Sequence, residues 1–234
     1  MPDSSQPADV DFWQHLDPQG THEIQPRQGF IHGYPASLAD GRQLLLPIRE
    51  RDHGQSALAS LIINQASFEV VDALAGDLAD KLRGRQIDII IGLPTLGLTL
   101  AEATARKLGH SRYVPLGTSR KFWYNDELSV PMTSVTSPGN QKRLYIDPRL
   151  TSLLDNKRIC LVDDVISTGS SILAALTLLA RLDVTPECLG VAMRQSRLWQ
   201  TTVATASPGL ETRVFAAFDT PRLTPTSGGG WLPE

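Results

Sequence analysis

Residues 159–171 read Ile-Cys-Leu-Val-Asp-Asp-Val-Ile-Ser-Thr-Gly-Ser-Ser, and the fold follows from them. The run opens apolar and branched, as a strand buried on both faces does. It ends on two adjacent carboxylates, Asp163 and Asp164. A loop of small residues, Ser167 to Ser171, follows, and then an apolar stretch, Ile172 to Ala180, that predicts a helix. In an open α/β sheet, ligands bind just outside the carboxyl ends of the strands. Ser, Thr and Gly let the loop backbone approach an anion, and a helix start adds unpaired N–H groups and a positive dipole end. A phosphate on the loop, with hydroxyls bonded to the two acids beside it, suits a phosphorylated sugar. A buried strand ending in an acidic helix cap accounts for one Asp, not for two. The acidic strand end of a P-loop enzyme requires a Gly-x-x-x-x-Gly-Lys-Ser/Thr loop elsewhere, and the chain has none.

Outward from this stretch, strand and helix patterns alternate. Residues 1–28 are rich in Pro, Gln, Asp and Ser and predict a loosely ordered segment. A Gly41-Arg42 turn between apolar stretches predicts a β-hairpin within 30–50. Residues 56–83 predict a helix, with Phe68, Val71, Leu74, Leu78 and Leu82 on one apolar face. Ile87 to Gly92 is a strand, Leu98 to Leu108 a helix, and Ser111 to Leu116 a third strand; Cys188 to Met193 and Arg213 to Phe218 are later ones. Strands alternating with helices imply an α/β fold, a parallel sheet with helices on both faces.

Composition agrees with one domain of this class. The chain has 234 residues, is 41% hydrophobic and carries a formal charge of −3, which offers no basic field for nucleic acid. No apolar run reaches membrane-spanning length, and the polar, acidic start lacks the basic and apolar regions of a signal peptide. The two cysteines, Cys160 and Cys188, fall in predicted strands and read as small core residues, so a cytosolic location is expected.

The stretch Val162-Asp163-Asp164-Val165-Ile166-Ser167-Thr168-Gly169-Ser170 resembles the signature of the type I phosphoribosyltransferases. The resemblance implies that Asp163 and Asp164 hold the ribose 2′- and 3′-hydroxyls of phosphoribosyl pyrophosphate. It gives the 5′-phosphate to Val165, Ile166, Ser167, Thr168, Gly169, Ser170 and Ser171. By itself Gly92-Leu93-Pro94-Thr95-Leu96-Gly97-Leu98 is a tight strand-to-helix turn of a common kind. It is also similar to the family's pyrophosphate loop, which places Pro94, Thr95, Leu96 and Gly97 at the pyrophosphate. Several family members have a non-proline cis peptide here. Some carry Arg or Lys in the turn where this chain has Leu96, so positive charge has to come from elsewhere. Residues 117–149 are long and weakly periodic, the mark of a functional lid. The resemblance makes them the flexible catalytic loop, with Arg120 and Lys121 on the pyrophosphate. Trp123 and Tyr124 either pack the loop down or cover a neighbouring subunit, and Lys142 and Arg143 read as a solvated face.

The implied reaction moves a phosphoribosyl group to a nucleobase with Mg2+ as cofactor, an ion held largely on phosphate oxygens without a dedicated protein cage. It also implies a homodimer, and a small hood built from the chain ends (213–234 and the N-terminal hairpin) over the base. The tail resembles the 6-oxopurine enzymes distantly, which points to purine salvage and sets Arg194, Phe218 and Trp231 around the base. Plain hydrophobic cover for Phe218 and Trp231, an ion pair for Arg194, and adenine or orotate as the base all stay open. A regulatory module that kept the sugar-phosphate site without catalysis is the alternative.

Overall fold

The structure, a computed structural model, describes residues 11–132 and 142–234. In chain order the elements are β1 (Tyr34–Ser37), β2 (Gln43–Leu46), β3 (Ile48–Arg51), β4 (Ser56–Ala59), α1 (Phe68–Arg83), β5 (Ile89–Gly92), α2 (Gly97–Lys107), β6 (Val114–Pro115), β7 (Ser129–Met132), β8 (Lys142–Tyr145), β9 (Ile159–Ile166), α3 (Ser170–Ala180), β10 (Cys188–Gln195), α4 (Trp199–Ala206), β11 (Val214–Thr220), β12 (Arg222–Pro225) and β13 (Trp231–Pro233). The apolar runs β11-β10-β9-β5-β6 pair, in that order, into a five-stranded sheet that is parallel throughout. β9 lies at its centre, so both faces of the decisive strand are covered. Its residues alternate between two cores, as the pleat requires. Cys160 and Val162 join the core under α1 and α2, while Ile159 and Leu161 join the core under α3 and α4.

α1 starts where Ser67 Oγ accepts from Val70 N at 3.2 Å, an N-cap. Val71, Leu74, Leu78 and Leu82 are buried as their spacing predicts, but Phe68, the first helical residue, is 91% exposed. The helix predicted from 56 begins only at 68. Ser56–Ala59 is instead β4, in a four-stranded antiparallel sheet ordered β13-β12-β4-β3. Pairing with distant strands claims this segment, and no local pattern announces that. This sheet, the hood, joins residues 48–59 to the tail at 222–233; the first part of the stretch expected there, Val214–Thr220, is instead β11 of the parallel sheet, and the N-terminal hairpin pairs outside the hood. The Gly41 hairpin forms as β1 and β2, whereas the strand expected over 111–116 shortens to β6.

The loose order expected of 1–28 does not hold for 11–28; residues 1–10 lie outside the described residues. Phe12 and Trp13 are buried in the first core. Trp13 Nε1 donates to the Ser60 carbonyl at 2.9 Å, and Asp17 and Gln43 exchange backbone hydrogen bonds at 2.8 Å. Two large aromatics outweigh a polar composition once a core is there to receive them. Segment 117–149 is likewise more ordered than its weak periodicity predicts. β7 and β8 form an antiparallel ribbon, with Val130 and Leu144 in the second core; residues 133–141, between them in sequence, lie outside the described residues. Arg143 is not a solvated side chain, because its guanidinium donates to Ser129 Oγ at 2.8 Å and to the Ser129 carbonyl at 3.1 Å. Cys160 and Cys188 face each other in register as free buried thiols, and burial pushes the Cys160 thiol up. Among the described residues no helix is long and apolar enough to cross a membrane.

Candidate active site

Asp163 and Asp164 stand at the carboxyl end of β9. Asp163 is 6% exposed and Asp164 is half-buried. Asp163 Oδ1 accepts from Asp164 N at 3.0 Å. Burial pushes both carboxyls above the usual range, and the neighbouring charge of Asp164 adds to the rise at Asp163. The loop after them turns at Gly169, whose φ of +82° is left-handed. α3 begins at once, leaving first-turn N–H groups directed into the loop. Thr168 Oγ1 donates to Ser170 Oγ at 3.3 Å, and Ser167 and Ser171 are half-buried. Ile166 is 1% exposed in the second core, and Val165, half-buried, packs against the first. Strand alternation sends the two side chains to opposite faces of the sheet.

The second loop lies against the first. Gly92 pairs with Val162, and Leu93 N donates to the Val162 carbonyl at 2.9 Å, which brings residues 94–97 beside the acids. A β-carbon on Gly97 would stand 2.6 Å from Asp163 Oδ1. The Pro94–Thr95 peptide is cis. Thr95 is exposed, whereas Leu96 leans on the first core.

Arg120 and Lys121 follow β6, the strand next to β5. The Arg120 guanidinium is turned onto Asp126 at 2.7 Å, while Lys121 is exposed. Trp123 packs the loop down: its Nε1 donates to Asp147 Oδ2 at 3.2 Å, and the Arg149 guanidinium lies 4.9 Å from its ring centroid. Arg149 also donates to both Asp147 oxygens, at 2.6 and 3.1 Å, which holds the Asp147 carboxyl well below the usual range.

The three residues expected around the base separate. Phe218 is 4% exposed in the first core and cannot stack on a ligand. Trp231 is 8% exposed and packs with Ala57 and Leu223 inside the hood. Arg194 alone lines a cavity, of about 900 Å3, at the carboxyl ends of β10 and β11. There it is held by Asp219 in a bidentate pair at 2.6 and 2.8 Å. Tyr34, Gln200 and Thr220 line the same cavity, and no sequence signal marked them. The Thr220 hydroxyl is buried with no partner among the described residues. Burial, with the charge of Asp219, pushes the Tyr34 hydroxyl up. The cavity shares a wall with loop 167–171, because Trp199, which lines it, lies with Thr202 of α4 against Gly169. Among the described residues no group of three or more His, Cys, Asp or Glu could hold a metal.

The model of the phosphoribosyl transferase domain matches residues 58–197, which include both loops and the ribbon. This chain belongs to that family. It is 30% identical over 119 residues to the bifunctional protein PyrR 2 of Lactiplantibacillus plantarum, covering 46% of this chain and 63% of that protein. The bifunctional protein PyrR of Pseudomonas aeruginosa is 33% identical over 113 residues, with 46% and 59% covered. The chain therefore spans about three-fifths of the length of these relatives. An adenine phosphoribosyltransferase of Frankia alni is 31% identical over 141 residues, covering 60% of this chain and 69% of that protein. Among solved structures, the adenine phosphoribosyltransferase of Giardia lamblia with 9-deazaadenine superposes with a TM-score of 0.54 at 20% identity, covering 65% of this chain and 80% of the other. The adenine phosphoribosyltransferase of Trypanosoma brucei with AMP, pyrophosphate and ribose-5-phosphate gives 0.52 at 21% identity, covering 64% of each chain. At these identities the likeness is one of fold.

Proposed function

We propose that this protein transfers the 5-phosphoribosyl group of phosphoribosyl pyrophosphate to a nitrogen of a nucleobase, releasing pyrophosphate. One observation carries the reading: the two loops meet at Gly97 and Asp163, so a ribose on the acids lies directly beside a pyrophosphate on residues 94–97. Asp163 and Asp164 accept hydrogen bonds from the ribose hydroxyls, and the backbone of 167–171 receives the 5′-phosphate. The bond from ribose C1 to the pyrophosphate oxygen breaks, and its electron pair leaves with pyrophosphate. The base nitrogen then bonds to C1 and gives up its proton. Positive charge on the sugar develops beside the acid pair, while loop N–H groups and Lys121 meet the negative charge of the leaving group.

The donor set fits Mg2+. Two adjacent oxygen-bearing side chains, both raised by burial and one by its neighbour's charge, are relieved by a hard cation. When bound with substrate, Mg2+ neutralises charge on the pyrophosphate oxygens. The cavity at Arg194 is the base pocket in this reading, and the adenine phosphoribosyltransferases among the similar proteins favour a purine and a salvage role. A cytosolic homodimer belongs to the same proposal. Pyrophosphate release from phosphoribosyl pyrophosphate, with Mg2+ and a panel of bases, is the test. Release with one base, with its nucleotide formed, is expected. Saturable binding without release for any base would replace this reading with that of a regulator.

A further inference from the structure

At the amino ends of the central strands, opposite the two loops, three guanidiniums gather round one carboxylate. Arg158 precedes β9, Glu187 precedes β10, Arg213 precedes β11, and Arg85 follows α1. Arg85, Arg158 and Arg213 approach Glu187 at 3.8, 3.9 and 3.7 Å. All three distances exceed the roughly 2.7–3.2 Å of an N–H···O hydrogen bond. Among the described residues, the side chains otherwise give one N–H to Gln86 Oε1 at 3.1 Å and one to the Gly209 carbonyl at 3.4 Å, while Arg85 rests on the Phe215 ring at 4.9 Å. Asp88 accepts from the backbone N–H of Arg158 at 2.8 Å. The arginine side chains are 31–46% exposed and Glu187 29%, so their mutual repulsion is less screened than on a free surface. Three fixed cations around one acid leave positive charge and N–H donors unspent.

We propose that Arg85, Arg158 and Arg213 form a second anion site, which binds a compact polyphosphate group. Guanidiniums present paired N–H donors that match phosphate oxygens. The three converge on a point one carboxylate wide instead of lining a stripe, and the chain's charge of −3 supplies no field for a nucleic-acid backbone. The site is separate from the ribose-phosphate loop, since Arg158 and Asp164 lie at opposite ends of extended β9, about 20 Å apart at roughly 3.3 Å per residue. The ligand is an inorganic polyphosphate or the phosphate tail of a nucleoside triphosphate.

Calorimetric titration of the full chain with inorganic tripolyphosphate, without Mg2+, tests this. In the Arg158→Gln/Arg213→Gln variant, one site is expected to weaken at least about tenfold, the worth of a charge-assisted hydrogen bond, with basal phosphoribosyl transfer and thermal midpoint little changed. Glu187→Gln removes the competing carboxylate and is expected to tighten the same site. ATP binding there more tightly than tripolyphosphate would identify a nucleotide as the ligand; equal affinities would identify the polyphosphate chain alone. The proposal is overturned if Thr168→Val abolishes all tripolyphosphate binding while the arginine variant changes none. It is also overturned if a single-stranded oligonucleotide binds the cluster more tightly than tripolyphosphate.

Discussion

Gly97 lies against Asp163 so closely that a β-carbon on it would stand 2.6 Å from Asp163 Oδ1 and 2.8 Å from Asp163 Cα. Only a residue without a side chain permits this approach, and the approach brings the acid pair to loop 94–97, the proposed ribose and pyrophosphate sites. Gly97→Ala therefore forces one loop away from the other. Turnover is expected to fall at least about a hundredfold, as small displacements of reacting groups do, with a stability loss of about 1–3 kcal/mol from overpacking. Steady-state rates and urea denaturation check both numbers. Full activity in the variant would separate the two loops functionally.

Asp164→Asn keeps the volume of the side chain and removes its charge. The protein should stay folded, with kcat for phosphoribosyl transfer down by about two orders of magnitude, in the range for losing an electrostatic contact to the transition state. Unchanged turnover in a folded variant would remove Asp164 from the site.

Asp163 links the site to stability. Burial raises its pKa above the unfolded value of about 3.9, so the stability it contributes is present below that pH and is lost as pH rises through the folded pKa. Asp163→Asn escapes this loss. Its stability relative to the natural protein should grow from acid towards neutral pH even as activity disappears, a trade often found at active sites. Denaturation midpoints measured from about pH 4 to pH 8 test the sign. A gap independent of pH would place the ionisation elsewhere.

Asp147 has the opposite sign. Arg149 and Trp123 hold its pKa low, so its contribution is present above about pH 3.9 and is lost as pH falls towards the depressed value. Asp147→Asn should destabilise the protein at neutral pH, with the difference closing in acid. Loss of its grip on Trp123 should shift that residue's fluorescence. An unshifted spectrum would argue against the latch.

Lys121 is exposed beside the loop, whereas Arg120 is already paired with Asp126. Lys121→Ala should raise KM for phosphoribosyl pyrophosphate several-fold more than KM for the base. The reverse pattern would move Lys121 to the base pocket.

The sequence by itself determined the parts whose cause is local. The strand, acid pair, small-residue loop and helix of 159–180 could be read directly, because burial on two faces, a left-handed Gly169 and a helix start each demand particular residues in fixed succession. The Gly41 hairpin and the inner face of α1 after Phe68 followed from turn chemistry and spacing in the same way. Tertiary structure alone decided the rest. Ser56–Ala59 became a strand because β3 and β12 pair with it across the hood, and Phe12 and Trp13 were drawn into a core that their own segment does not contain. Alternation along β11 shows that Phe218 and Asp219 point to opposite sides. Which side is closed by α1 and which opens on Arg194 depends on layers contributed by distant parts of the chain. The same holds for Glu187 and its three arginines, which come together only because parallel strands align their amino ends. Local rules choose the elements; the burial of one element against another chooses which side chains face a ligand.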